Sequence, residues 1–523
     1  MGEQREVGVG PRRFATVVFS GRLWRYGIIL HKAFSPCSSI GQSNGLLSRR
    51  FRVRVAAGVL EIPSPRNVLG WRTVALRIRG FIGIRGMVVI GKMAAFGLLV
   101  HFIASGGQLS ASDPAMPRGE VPLEAKLDGL IASPEPDWPQ WRGPRRDGIS
   151  DEKGLLTTWP KDGPRLVWKI GNLGRGWSSP IIVRDRLYIT GDVDDDLVIY
   201  AFSVDGKPLW QAKNGRAWTN PYSGARACCA YSEGKLYHIN GHGRVVCLDA
   251  ATGKELWACD LRQRFEAAEI TWGFSECLLV DGPRLIVTPG SGKALMAALD
   301  KRSGRTLWTT EPLGEDRATY SAPALFRHAG RRIVANCSSG HGFGVDADTG
   351  KLLWTVPLRN AYGVNITTPV YRDGSIFYVT AYVGGACYRL RPGEAGSFQP
   401  EKAWSTTLDN CTGAALLVDG LLYGSGYQKH KSWLCLDWQT GQVRCESKEL
   451  TTSSAIYADG RLYCLAQDGQ AALLRPTPER FEIAGRFRLV PEKTSDAWAY
   501  PVLLHGRLYL RYHDTLWCYH VRK

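Results

Sequence analysis

Thirteen cysteines, a run of aspartates, a few loop histidines and a scatter of loop tryptophans are the residues of this 523-residue chain suited to chemistry. The cysteines include no C-x-x-C pair, which argues against a structural zinc site, and no C-x-x-C-H, which excludes attached haem. Cys247, Cys387, Cys435 and Cys518 recur in equivalent third-strand contexts (VVCLD, GACYRL, WLCLD, LWCYH). Residues at one slot of separate repeats point away from one another, so these four are expected as small buried hydrophobes rather than disulfide partners. Cys228 and Cys229 are adjacent; two unbonded strand thiols are favoured over a strained vicinal disulfide. Asp192, Asp194, Asp195 and Asp196 (GDVDDDLVIY, 191–200) could attract a cation. They lack the EF-hand pattern and fall where a hairpin turn is due, so a solvated turn is favoured. His341 (SSGHGFG) and His430 (YQKHK) have no Ser or Cys at a spacing that would make either the base of a nucleophile.

The elements that must position such residues are set by a repeat. A short strand ending in Trp recurs at Trp168, Trp210, Trp257, Trp308, Trp354 and Trp404, and the slot passes to Cys445 and Phe487, in steps of 41 to 51 residues. Tight-turn signatures precede most of them: SVDGKPLW, LDAATGKELW, LDKRSGRTLW, VDADTGKLLW and the degraded LDWQTGQVRC. In alternation run eight hairpin patterns, from PIIVRDRLY (180–188) through LLVDGLLY (416–423) to PVLLHGRLY (501–509), each with a turn pair between apolar runs. Eight hairpins alternating with eight Trp slots predict an all-β, eight-bladed β-propeller of four-stranded antiparallel blades. The last unit lacks a fourth strand, and PRLVWKI (164–170) has a Trp slot with no hairpin before it. The N-terminal strand is therefore expected to close the last blade and remove the open edge. In the turns, Asp bonds its own backbone and Gly takes φ > 0, while the Trp wedges between blades.

Charge divides the chain. Residues 1–92 carry 16 Lys/Arg against 3 Asp/Glu, whereas 93–523 carry 50 against 45. The excess thus lies outside the repeat, and nucleic acid is not an expected partner. The segment 1–92 reads as a basic, low-order extension, transit-like or translated from upstream sequence. A charged, apolar, small-residue order over 87–111, centred on MAAFGLLVHFIA (93–104), reads as a secretory signal. A lead-in segment (112–161) and the propeller (162–523) follow. The protein is expected to be exported, periplasmic or at the cell surface, or membrane-associated if the apolar run is retained.

The A/S-x-D-x-x-T-G-x-x-x-W beat resembles the repeat of pyrroloquinoline quinone (PQQ) propellers, the quinoprotein alcohol dehydrogenase-like superfamily, over about residues 162–523. The segment DWPQWRGPRRDGIS (137–150) resembles the start of exported PQQ-like propellers of planctomycete-type bacteria. This superfamily holds dehydrogenases and also non-catalytic relatives such as the outer-membrane-protein assembly propeller, so the resemblance implies a fold and two functions. The first is a binding or scaffold module whose funnel face receives a protein, peptide or glycan. The second is a PQQ- and calcium-dependent dehydrogenase of alcohols or sugars, which without a haem motif needs a separate electron acceptor. For that enzyme the loops joining successive blades would supply the site. Arg175, Trp177, Arg226, Trp272, Tyr320 and Trp498 would hold the cofactor, with Trp272 or Trp498 as the stacking surface. Glu276 and Asn365 would bind the metal, completed by Asp409, which would also be the catalytic base. The longest such loop, 258–275, carries Phe265, Glu266, Glu269 and Trp272.

Overall fold

The computed structural model describes residues 128–412 and 415–523, together with five short strands nearer the N-terminus. The chain divides into two units, 1–117 and 118–523. In the first, Phe51–Val55 pairs with Gly58–Ile62, and Val74–Arg77, Met87–Ile90 and Val100–Ile103 form a three-stranded antiparallel sheet. Apart from these strands, the basic extension (1–92) and the signal-type segment (87–111) lie outside the described residues. Among the described residues no helix is long and apolar enough to cross a membrane.

The second unit is an eight-bladed β-propeller. Each blade is a four-stranded antiparallel meander, with the first strand at the hub and the fourth at the rim: blades 1 (181–216), 2 (230–260), 3 (279–309), 4 (324–357), 5 (370–406), 6 (416–447) and 7 (453–488). Blade 8 is completed, as expected, by the N-terminal strand. Arg165–Ile170 pairs with Thr515–His520, setting Trp168 opposite Cys518. The hairpins between first and second strands turn where the sequence placed them. At Asp373-Gly374 and Asp459-Gly460 both residues have φ > 0, the conformation of a twist-matched two-residue turn.

The Trp slots join the blades. Each faces a small residue across the third strand (Ala201–Trp210, Cys247–Trp257, Cys387–Trp404), which leaves room for the ring. The ring then lies on the turn of the next blade, except at Trp354, whose indole N–H donates to the Tyr378 hydroxyl of blade 5 at 3.2 Å. Trp404 covers Gly441, where a Cβ would fall 2.6 Å from the ring, and its indole N–H donates to the Trp438 carbonyl at 2.9 Å. Trp168 does the same from blade 8 to blade 1, donating to the Val204 carbonyl at 3.0 Å and closing the circle. In the turns themselves Asp249 Oδ1 accepts from the N–H groups of Ala251 and Thr252 and from the Thr252 hydroxyl. Cys247, Cys387, Cys435 and Cys518 are buried and unpaired, as are Cys228 and Cys229.

One feature is absent from the repeat pattern. The lead-in segment from Asp128 to about residue 157 fills the hub from the hairpin-turn side and fastens nearly every blade. Gly129–Leu130 pairs with the first strand of blade 4, and Trp138 and Ile182 of blade 1 exchange N–H···O bonds. Its carboxylates cap hairpin turns: Glu135 accepts from Glu233 N–H, Asp137 from Arg184 N–H, and Glu152 from His505 and Gly506 N–H. Two arginines run inward. Arg142 donates to the Ala415 carbonyl of the blade 6 approach, and Arg146 to the carbonyls of Cys277, Leu278 and Pro323 at 2.7, 3.1 and 2.8 Å. Buried first-strand carbonyls at a hub have few donors, and these guanidiniums supply them.

Candidate functional site

On the opposite face, the loops that join successive blades meet the turns between second and third strands. They enclose a blind cavity of ≈ 360 Å³. Its wall is aromatic. Trp177, Trp272, Tyr320 and Trp498 come from the interblade loops, Tyr382 and Tyr427 from the turns, and Tyr500 from the approach to blade 8. The floor is Trp141 of the lead-in segment, edge-on to Tyr500 with ring centres 5.4 Å apart. Neighbouring rings brace one another: Trp177 and Trp498 at 5.2 Å, Trp498 and Tyr222 at 5.7 Å, Trp272 and Tyr320 at 5.7 Å, Tyr382 and Tyr427 at 5.6 Å. Tyr222, Tyr362 and Tyr382 stand exposed at the rim. Packed in this way, the rings present faces and edges to the cavity without having to be ordered when a ligand arrives.

Polar groups in the wall are few and already engaged. Arg226 lies 5.0 Å from the Trp177 ring and 5.9 Å from Trp218. It donates to the carbonyls of Pro221, Tyr222 and Gly224. Burial draws its pKa down to about 10, against the attraction of Asp192, so it stays cationic at neutral pH. Asp496 accepts from Gln467 Nε2 at 2.7 Å and pairs with Lys493 at 2.8 Å. Its carbonyl holds the Trp177 indole N–H at 3.0 Å.

Of the residues singled out from sequence, Trp177, Arg226, Trp272, Tyr320 and Trp498 come together in this cavity. Arg175 sits outside the lining and donates to Ser223 Oγ. The three oxygen donors do not converge. Glu276 is buried behind the wall, accepting from the Thr288 N–H and hydroxyl and from Asn336 Nδ2; burial raises its pKa to about 7. Asn365 spends its amide on the carbonyls of Ser338 and Leu358. Asp409, fully buried, accepts backbone N–H bonds from Tyr427, Gln428, Lys429 and His430, at 2.9, 2.9, 2.7 and 3.2 Å. It ties down the turn that carries Tyr427. Both of its oxygens are thus committed, and neither faces the cavity. Calcium needs six to eight oxygens around one point. Among the described residues no three acidic, His or Cys side chains group to hold a metal. The donor set does not fit a calcium-bound quinone.

Sequence reasoning missed Trp141, Tyr500, Tyr382 and Tyr427 as lining residues. The two turn tyrosines had a signal, since the corresponding turns of blades 1, 7 and 8 carry Asp194-Asp195, Gln467-Asp468-Gly469 and His513-Asp514 and no tyrosine; Trp141 had none within the repeat. The aspartate run is a turn, as expected, with Asp194 at φ 50° and Asp196 paired to Lys213. Asp192 instead turns inward to accept the Trp218 N–H, and burial lifts its pKa to about 6. Folding also gives His341 a partner that spacing concealed: its Nδ1 lies 2.8 Å from Asp316, outside the cavity lining.

Residues 195–447 match the family described as outer membrane protein assembly factor BamB. The BamB of Yersinia pestis is 23% identical over 51% of this chain and 67% of its own length. The quinoprotein alcohol dehydrogenase PedH of Pseudomonas putida is 25% identical over 50% of this chain, which spans only 40% of that enzyme. Among solved structures, a europium-containing methanol dehydrogenase superposes with a TM-score of 0.52 at 15% identity, covering 72% of this chain and 89% of the enzyme. The quinohemoprotein alcohol dehydrogenase of Comamonas testosteroni does so at 0.50 and 13%, covering 73% and 80%. At those identities the superpositions speak for the fold alone. The chain is a PQQ-repeat β-propeller, related both to the BamB assembly factors and to the quinoprotein alcohol dehydrogenases.

Proposed function

We propose that this protein is an exported binding module that receives the end or a side chain of a peptide or glycan in its aromatic funnel. The observation that carries this reading is the blind aromatic cavity itself. Its wall offers ring faces, one fixed cation and one paired carboxylate, while the carboxylates that could organise a metal are turned to structural tasks. Aromatic surface of this kind contributes through stacking and desolvation, which suits apolar side chains and the C–H faces of sugars equally. The floor made by Trp141 and Tyr500 limits entry to a terminus or a protruding group. The similarity to BamB, an assembly factor by its description, favours a protein partner.

The test is to probe peptide and glycan arrays with the labelled full chain, and to repeat any hit with Trp272→Ala and Trp498→Ala. Central aromatic anchors typically contribute 2 kcal/mol or more, so each substitution is expected to weaken a genuine funnel ligand by roughly 30-fold. The dehydrogenase alternative is tested in parallel by a thermal shift with PQQ, with and without calcium. A calcium-dependent rise in the midpoint, coupled to dye reduction with alcohols, would overturn the binding-module reading. Array hits that both Trp variants retain would move the interaction off the funnel.

A further inference from the structure

Cys228 and Cys277 are 49 residues apart and meet at the funnel floor. The approaches to the first strands run side by side around the hub. Ala225 of blade 2 accepts the Trp177 N–H of blade 1 at 2.8 Å and donates to the Arg175 carbonyl at 3.0 Å. This offset carries up the strands. The Ser179 N–H points at Cys228 Sγ at 3.2 Å, and the Cys228 N–H points at Cys277 Sγ at 3.3 Å. Successive positions on this inner ring are Ser179, Cys228, Cys277 and Ala322, all lining the cavity. Two thiols thus occupy adjacent positions on it. Cys229 belongs to the same strand approach but is not among the lining residues, because neighbouring strand residues face opposite ways. Sequence adjacency therefore points to the wrong pair; the repeat brings together sulfurs from two blades.

Access is unequal. Cys277 is 7% exposed and Cys228 2%. Arg146 donates to the Cys277 carbonyl at 2.7 Å, and burial of the more accessible thiol is opposed by the attraction of this guanidinium. A neighbouring cation favours the thiolate, the form that attacks disulfides.

We propose that Cys228 and Cys277 form a redox-active dithiol that closes to an interblade disulfide when a small disulfide enters the funnel. The Cys277 thiolate attacks one sulfur of R–S–S–R, that bond breaks, and the first RS⁻ leaves with the electron pair. Cys228 loses its proton to the departing thiolate and attacks the Cys277 sulfur of the mixed disulfide, expelling the second RS⁻, which takes the proton released when Cys277 ionised. The protein gives up two electrons and two protons, and the small disulfide becomes two thiols. The new bond staples blades 2 and 3 beneath the aromatic wall.

The experiment treats the native full chain with excess 2-hydroxyethyl disulfide, quenches with acid, alkylates in denaturant and maps peptides by mass spectrometry. A Cys229→Ala chain treated alike removes the ambiguity between neighbours. The expected result is a cross-linked peptide joining 228 to 277 in both proteins, reversed by a reducing agent. Recovery of both residues alkylated, or linkage of Cys228 to Cys229 in the wild type with none to Cys277 in Cys229→Ala, overturns the proposal. Cys277→Ser is expected to abolish the cross-link while Cys228 is recovered alkylated. Should that variant not fold, the other two maps decide the matter.

Discussion

Replacing Arg146 by Met tests how the hub is held. The guanidinium is almost fully buried and donates four hydrogen bonds, to Gln140 Oε1 at 3.2 Å and to the carbonyls of Pro323, Leu278 and Cys277. Hydrogen bonds from a charged donor contribute at least about 1.5 kcal/mol each, so the four sum to roughly 6 kcal/mol. Burial opposes this. It draws the Arg146 pKa from 12.5 to about 10 against the attraction of Cys277 and Glu276. At 1.36 kcal/mol per pH unit, that charge costs about 3 kcal/mol to keep. The net contribution is about 3 kcal/mol. With an unfolding entropy of about 2.1 cal/mol/K per residue over roughly 400 residues, Arg146→Met should lower the thermal midpoint by about 4 °C. Met nearly preserves the volume, so the loss reports the donors rather than a cavity. The assay is scanning calorimetry of both proteins, with limited trypsinolysis beside it, because a loosened lead-in segment exposes Arg142 and Arg145. A midpoint unchanged or raised would refute the reasoning. It would mean that the burial cost cancels the hydrogen bonds, as happens for some buried ion pairs replaced by apolar residues, and that the segment's strand pairing, capping carboxylates and tryptophans suffice to hold it.

Two further outcomes follow from buried carboxyl groups. Burial raises the Glu276 pKa from 4.5 to about 7. An acid with a raised folded pKa binds more protons folded than unfolded, so its contribution is present below 4.5 and is lost as pH rises through about 7. Glu276→Gln should remove that slope, on the order of 3 kcal/mol, in urea unfolding measured across this range; an unchanged slope would mean that another group carries it. Asp409→Asn places an amide against N–H groups that now meet a carboxylate, and should cost about 2 to 4 kcal/mol with faster amide exchange over 427–430. Stability equal to wild type by calorimetry would show that Asp409 is not the anchor of that turn.

The repeat was legible because it is local. A Trp at one end of a short strand, an Asp-x-x-Thr-Gly turn before it and an apolar hairpin after it are chemical necessities of one blade. Copying them round the chain fixed the blade count, the strand order and the closure by Arg165–Ile170. The loops that line the funnel were legible for the same reason, since every blade ends at the same face. Trp177, Arg226, Trp272, Tyr320 and Trp498 could therefore be located in advance.

What the sequence could not give was the direction in which each loop side chain turns. Glu276, Asn365 and Asp409 stand at comparable places in the repeat but point into the walls, because unpaired backbone N–H and C=O groups lie nearest there. The lead-in segment carries no repeat, so nothing in its pattern reveals that it threads the hub and floors the cavity with Trp141. Cys228 beside Cys229 is a fact of the chain; Cys228 beside Cys277 is a fact of the ring. By itself the sequence determined the blade, its copies and their closure, through short-range turn and pairing chemistry. Only the tertiary structure decided what meets at the hub, because contacts there join residues brought together by rotation of blades around an axis, a distance that no local spacing encodes.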